Sequence, residues 1–390
     1  MINRRTALKR IVLGTVLGTD SLLARPALPE SPLPDQCPND AERKVMASVA
    51  EDFRREFKVP ALSIAVAHKG GIVYENALGV VDRASQDKLT SSHLFRIASI
   101  SKPITSSAIF RLIEDGLLRS DDKVFGRHAI LGNKFGTSPY REGIEKITID
   151  HLLTHTAGGW DNGPDDPMFA EPRMDHGQLI SWTLDNQPLK HLPGTVFAYS
   201  NFGYCILGRV IERLSGQTYS EFVQRAILHP CKISDMLIGG NTLAERVGHE
   251  VKYYGQNGQN PYAINITRMD SHGGWLATAR DLVRFAIHVD GFDVARDILR
   301  PETIASMTAP SAANLNYARG WRVNTKGNWW HTGNLPGTTT ILVRTSSEFC
   351  WAALTNKSSE PQAGMDTALD NMIWDTLSRV SQWRSLLRII

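Results

Sequence analysis

Leu94-Phe95-Arg96-Ile97-Ala98-Ser99-Ile100-Ser101-Lys102-Pro103 sets a serine and a lysine three residues apart inside apolar sequence. One helical turn puts both side chains on the same face. A free serine hydroxyl is a poor nucleophile and needs a base beside it. The apolar lead-in and the apolar helical run 104–118 can bury the lysine. A desolvated lysine loses enough of its ~10.4 reference pKa to act as a base near neutrality. Ser85-x-x-Lys88 and Ser120-x-x-Lys123 repeat the spacing in polar, turn-like sequence. Burial, not spacing, therefore singles out Ser99 and Lys102. A helix start at Ser99 would direct positive dipole toward developing negative charge, and Pro103 suits an opening turn.

Working outward, residues 41–57 carry apolar positions at helical spacing. Runs 61–67 and 72–78, separated by Lys69-Gly70-Gly71, predict a β-hairpin. Helical signals follow at 149–153, 178–184, 203–214 and 219–228. The Gly- and Asn-rich segment 231–265 has no clear period. A helix is expected over 279–289, strands over 320–323, 329–332, 338–343 and 350–354, and a closing helix over 365–377. Strands at both ends with helices between imply an α/β (α+β) fold whose antiparallel sheet is built from both chain ends, flanked by helices, with a mainly helical inserted region. The expected domain is 41–384, with a sheet region of 41–95 plus 270–384 and a helical region of 96–269. The seam between them is where a pocket is expected.

Two further groups sit where that seam would be. In Tyr199-Ser200-Asn201 a phenol can relay a proton and an amide can hold a substrate carbonyl. Tyr74-Glu75-Asn76 matches the same pattern within the expected hairpin. His331-Thr332-Gly333 ends a strand-like run before Asn334-Leu335-Pro336-Gly337, and glycine at a strand edge lets an acyl group lie alongside a backbone N–H. Each motif has a plain structural reading too: a helix cap, a buried tyrosine, a strand-end turn.

In this order the motifs resemble the serine β-lactamase/penicillin-binding protein superfamily, most closely the branch of class C-like β-lactamases, D-Ala-D-Ala peptidases and related esterases. The flanking segments 95–102, 151–159, 193–208 and 273–282 carry the likeness, which spans about residues 45–380. The resemblance implies that Ser99 is acylated, that Lys102 and Tyr199 handle protons, and that Asn201 contacts the substrate. It implies substrate contacts from His331, Thr332 and Gly333, and an oxyanion hole from the N–H groups of Ser99 and Asn334. His331 stands where such enzymes usually have a lysine that grips a substrate carboxylate; a histidine, ~6.5 in reference pKa, is mostly neutral at pH 7. Pro230-Cys231-Lys232-Ile233 departs from the family's Pro-Leu-Gly-Met. The implied function is a cofactor-free serine hydrolase acting on a small ester, amide or β-lactam. The alternatives are a β-lactamase or D-alanyl-D-alanine carboxypeptidase proper, or a non-catalytic β-lactam- or muropeptide-binding protein.

Bulk properties exclude other classes. Formal net charge is +3, but residues 1–28 alone carry +4, leaving about −1 for the body. That balance offers no electrostatic case for nucleic acid. Arg4-Arg5 followed by the apolar run 11–24 reads as a twin-arginine-like export signal, and 29–40 as a Pro-rich linker, implying the bacterial periplasm. The run is too short for a transmembrane segment. Cys37, Cys205, Cys231 and Cys350 are widely spaced; export would permit disulfides, of unassignable connectivity, and isolated thiols are the alternative. His151 and His155 lack the glutamate and third ligand of a zinc site, and no metal is expected.

Overall fold

The computed structural model describes residues 37–359 and 362–387. The expected export signal and residues 29–36 of the expected linker lie outside the described residues.

Helix α1 (Asp40–Glu56) begins with a reciprocal capping box between Asn39 and Glu42, and turns Met46, Ala50 and Phe53 inward. Strands β1 (Ala61–His68) and β2 (Gly71–Gly79) form the expected hairpin. Its turn residues Lys69 and Gly70 both have positive φ, 49° and 72°, the tight turn whose twist matches flanking strands. Two-residue strands β3 (Phe95–Arg96) and β4 (Leu237–Ile238) pair on either side of β5 (Trp275–Ala277). The chain then runs through β6 (Arg322–Val323), β7 (Trp329–Leu335), β8 (Thr338–Arg344) and β9 (Phe349–Thr355). The main sheet is antiparallel in the order β2-β1-β9-β8-β7-β6, so both ends of the chain build it.

Strand β1 is buried along its whole length because helices cover both faces. Leu62, Ile64 and Val66 join a core beneath α1 and α10 (Gln362–Ser378). Ala61, Ala65 and Ala67, one residue out of phase, join the larger core that includes α8 (Ala279–Ile287). The period-2 alternation thus sorts branched residues to one layer and alanines to the other, where small side chains let α8 approach. Each buried Leu, Ile or Val contributes about 1.5–3 kcal/mol.

Between β3 and β5 lies the helical region: α2 (Ser101–Glu114), α3 (Ile149–Leu153), α4 (Pro167–Ala170), α5 (His176–Asn186), α6 (Asn201–Ser215) and α7 (Tyr219–Val223). Helix α2 is buried on nearly every side, with α6, α7 and α9 (Pro301–Thr308) packed against it. Several expectations need correction. Helix α2 starts at Ser101, on a 3-10 turn over Ala98–Ile100, and stops at Glu114. The helix expected over 219–228 is α-helical only to Val223 and widens into a π turn over Gln224–Leu228. Strand β7 continues past Thr332 to Leu335, so His331-Thr332-Gly333 lies within a strand rather than at its end. It has an open edge all the same, because β6 pairs only with Trp329 and Trp330.

No helix among the described residues is long and apolar enough to cross a membrane. The four cysteines are free thiols, three of them buried.

Candidate active site

Ser99 projects from the 3-10 turn between β3 and α2. Ala98 before it is held at φ +49°, an uncommon conformation for a residue with a side chain. Its methyl packs with Ile266, Met269 and Leu335, which fixes the turn. Lys102, one turn along, is fully buried. Its Nζ lies 3.0 Å from Ser99 Oγ and donates to Asn201 Oδ1 at 2.8 Å and to the His272 carbonyl at 3.1 Å. It also lies 4.8 Å from the centre of the Tyr199 ring. Burial pushes the Lys102 pKa well below the usual lysine range, with only Asp166 pulling it back. Tyr199 hydrogen-bonds Ser99, and burial raises its pKa, so the phenol is neutral.

Asn201 opens α6, which Ser200 caps by accepting from the Gly203 N–H. With its oxygen on Lys102, its amide nitrogen donates to Asp166 Oδ2 at 3.4 Å. Asp166 caps α4, is almost fully buried, and has its pKa pushed up to about 6 by desolvation.

His331 is also buried. Its Nδ1 lies 2.6 Å from the Thr332 carbonyl and its Nε2 3.2 Å from Tyr317 Oη. Tyr317 Oη lies 3.0 Å from His155 Nε2, and His155 Nδ1 accepts from the Ser200 N–H at 3.1 Å. These bonds assign the tautomers in one direction. His155 accepts at Nδ1 and donates at Nε2 to Tyr317. Tyr317 donates to His331 Nε2, and His331 Nδ1–H donates to Thr332. Burial drives both imidazole pKa values well below 6.5, with the Lys102 charge as the next cause, so both rings are neutral. Both ring nitrogens of His331 are occupied within the protein.

A cleft of about 340 Å³ opens over Ser99, lined also by Tyr199, Asn201, His331, Thr332 and Asn334. Two expected site residues do not line it: Lys102 is buried behind Ser99, and Gly333 backs against the Ile97 carbonyl and Ala98. The cleft holds residues that the sequence did not single out, chiefly Arg322 and Phe169. Arg322 is exposed, and its side chain makes no hydrogen bond or ion pair among the described residues. Its charge is felt at Tyr199, His155 and His331. Trp160, Trp275, Trp329 and Trp330 do not line this cleft. His151 takes part in the capping box of α3, and among the described residues no group of three or more His, Cys, Asp or Glu could hold a metal.

Comparison with known proteins places this geometry in context. The chain is 26% identical over 311 residues to penicillin-binding protein 4* of Bacillus subtilis (strain 168), covering 72% of this chain and 64% of the relative. It is 30% identical over 276 residues to penicillin-binding protein 4 of Amycolatopsis lactamdurans, covering 67% and 66%. The matches thus span just under two thirds of these relatives' own lengths. Among solved structures, D-amino acid amidase from Ochrobactrum anthropi SV3 superposes with a TM-score of 0.71 at 20% identity, over 88% of this chain and 100% of that one. The octameric penicillin-binding protein homologue from Pyrococcus abyssi gives 0.68 at 23% identity, over 86% and 78%. At such identities the likeness is one of fold. The beta-lactamase family model matches residues 45–371, most of the chain and the whole of the site described above. On that match, the chain belongs to the beta-lactamase family.

Proposed function

We propose that the protein is a serine acyl hydrolase that opens small amides, β-lactams or esters through an acyl-enzyme on Ser99. The observation that carries this is Lys102: a fully buried amine 3.0 Å from the Ser99 hydroxyl, with its pKa depressed by desolvation. A neutral amine takes the Ser99 proton as Oγ bonds to the substrate carbonyl carbon. The carbonyl electrons move to oxygen, and we assign the backbone N–H groups of Ser99 and Asn334, two residues that line the cleft, as the donors that receive them. The Tyr199 phenol, hydrogen-bonded to Ser99, passes a proton to the leaving nitrogen or oxygen as that bond breaks and regains one from the Lys102 ammonium, so that both groups are neutral again in the acyl-enzyme. Water attacks the ester by the reverse route and frees Ser99.

The substrate we favour carries an anionic group. His331 is neutral with both nitrogens engaged, so it supplies no charge where relatives use lysine. Arg322 supplies one on the same wall. An amide or lactam beside a carboxylate suits that arrangement, in line with the penicillin-binding and D-amino acid amidase names of similar proteins. Hydrolysis of nitrocefin, D-phenylalanine amide and p-nitrophenyl acetate, with intact mass after benzylpenicillin, tests the reading. Ser99→Ala should abolish every turnover and every covalent adduct. Turnover that survives in this variant would show the nucleophile to be another residue, and binding without an adduct would mark a receptor. We also infer export to the periplasm from Arg4-Arg5 and the apolar run after it. Cell fractionation with Arg4→Lys/Arg5→Lys tests this: retention of the variant in the cytoplasm is expected, and unchanged export would exclude the twin-arginine route.

A further inference from the structure

Asp166 is a carboxylate the reaction above does not use, and it lies three hydrogen bonds from the nucleophile, through Asn201 and Lys102. It is 4% exposed, and its two oxygens have different duties. Oδ1 accepts from the Met168 N–H at 2.9 Å, the cap of α4, while Oδ2 receives the Asn201 amide. An asparagine amide has no intrinsic preference for which end faces a neighbour. At Asn201 the choice is forced, because an ionised carboxylate accepts only and turns the NH₂ group toward itself. That leaves Oδ1 for Lys102 and the second N–H free to face the cleft, which Asn201 lines.

We infer that Asp166 is a positioning residue of acylation: through Asn201 it aims the acceptor for Lys102, and it supplies the counter-charge for the ammonium that forms when Ser99 loses its proton. The inference rests on the Ser99–Lys102 reading above. Among the described residues, Asp166 is the one acidic group whose charge pulls the Lys102 pKa back up. Neutral His155, His272 and His331 surround the same amine and add no negative charge. On its own side Asp166 faces Lys102, Asp161 and buried Arg268, whose guanidinium is tied to the Met168, Glu171 and Met174 carbonyls. Burying a carboxylate to cap a four-residue helix is expensive when Ser or Asn would cap it as well. A charge relayed to the base explains why an acid is there.

The test reads Ser99 directly and needs no knowledge of the substrate: the second-order rate of Ser99 labelling by a fluorophosphonate, from pH 5 to 9. Asp166→Asn and Asp166→Ser keep a cap acceptor and remove the charge. Both should label about tenfold more slowly at the plateau, with the acid limb about one pH unit lower, because Lys102 becomes a weaker base. Asp166→Glu keeps the charge and should stay within about threefold of wild type. Equal profiles in all four proteins would overturn the inference. So would a loss uniform across pH that follows melting temperature, which is what a cap alone would give. If neither uncharged variant folds, the wild-type profile decides. A second acid inflection, from a carboxyl raised above its usual range and distinct from that of Lys102, is then expected, and a profile with a single inflection overturns the inference. Failure of wild-type Ser99 to label at all is a different result: it removes the nucleophile reading and this one with it.

Discussion

Gly333 and Ile97 meet backbone to backbone: a methyl group on Gly333 would overlap the Ile97 carbonyl oxygen and stand 3.1 Å from Ala98 Cβ. Glycine is required here for a close approach, not for a turn. It lets β7 lie directly against the turn that carries Ser99, so that the strand's open edge and the nucleophile share one cleft.

Gly333→Ala therefore acts on geometry. The Ile97 carbonyl is backbone and cannot step aside, so the strand must move from the turn by a fraction of an ångström or more. Loss of alignment between the two proposed oxyanion donors should lower kcat about 100-fold, in the range for removing one such donor. Far-UV circular dichroism should be unchanged. An alanine variant with wild-type kcat would show that the strand and turn are not held in this register.

Tyr317→Phe removes the hydroxyl shared by His155 and His331. The His155 Nε2–H and the His331 Nε2 lone pair are then buried without partners, at a cost of about 1–3 kcal/mol. Urea unfolding at pH 7.5 should register that loss. A shift below about 0.5 kcal/mol would contradict the one-way chain from Ser200 to Thr332.

Arg322→Ala should separate substrates by charge. A hydrogen bond to an ionised group is worth about 1.5–3 kcal/mol, roughly 10- to 150-fold in binding. KM for a carboxylate-bearing amide should rise by at least tenfold while kcat stays within about threefold, and a neutral ester should be unaffected. Because Arg322 is exposed, added salt should shrink the difference. Equal losses on charged and neutral substrates would remove Arg322 from carboxylate recognition.

His68 gives a pH prediction far from the site. It is 4% exposed, stacks 4.1 Å from Phe349, and neither ring nitrogen has a partner among the described residues. Burial pushes its pKa down to about 4, with the charge of Lys69 adding to the effect. The unfolded chain takes up a proton near pH 6.5, whereas the folded one does so only near 4. The stability present above 6.5 is therefore lost as pH falls between those values. His68→Phe removes that titration. Its melting temperature relative to wild type should increase as pH is lowered from 7.5 to 4.5; a constant difference would show that His68 is not buried as a neutral ring.

Much of the architecture was legible before any coordinates. Helix α1 reads from its helical spacing, the hairpin at 61–79 from its turn residues, and the strands at 338–344 and 349–355 from short apolar runs. Ser99, Lys102, Tyr199 and Asn201 are brought together, as the order of motifs implied. Arg322 was not legible, since an arginine on a short strand reads as a solvent-facing residue. Only the stopping of β6 after two pairs shows that it borders the cleft. Asp166 was hidden in a stretch without a period, 164–170, where an acid before proline reads as a turn. His331 was legible as a departure from lysine, but nothing in its neighbours announced Tyr317 and His155.

The chain of amino acids alone determined which reactive groups exist, their order, and the layers that hold them, because helix and strand periods and short-range spacing are properties of neighbours. Tertiary structure decided the protonation and aim of those groups. Lys102 meets Asn201 across 99 positions, and His155 meets Tyr317 across 162. A lysine becomes a base, and a histidine a fixed neutral link, only when segments that distant exclude water from around them.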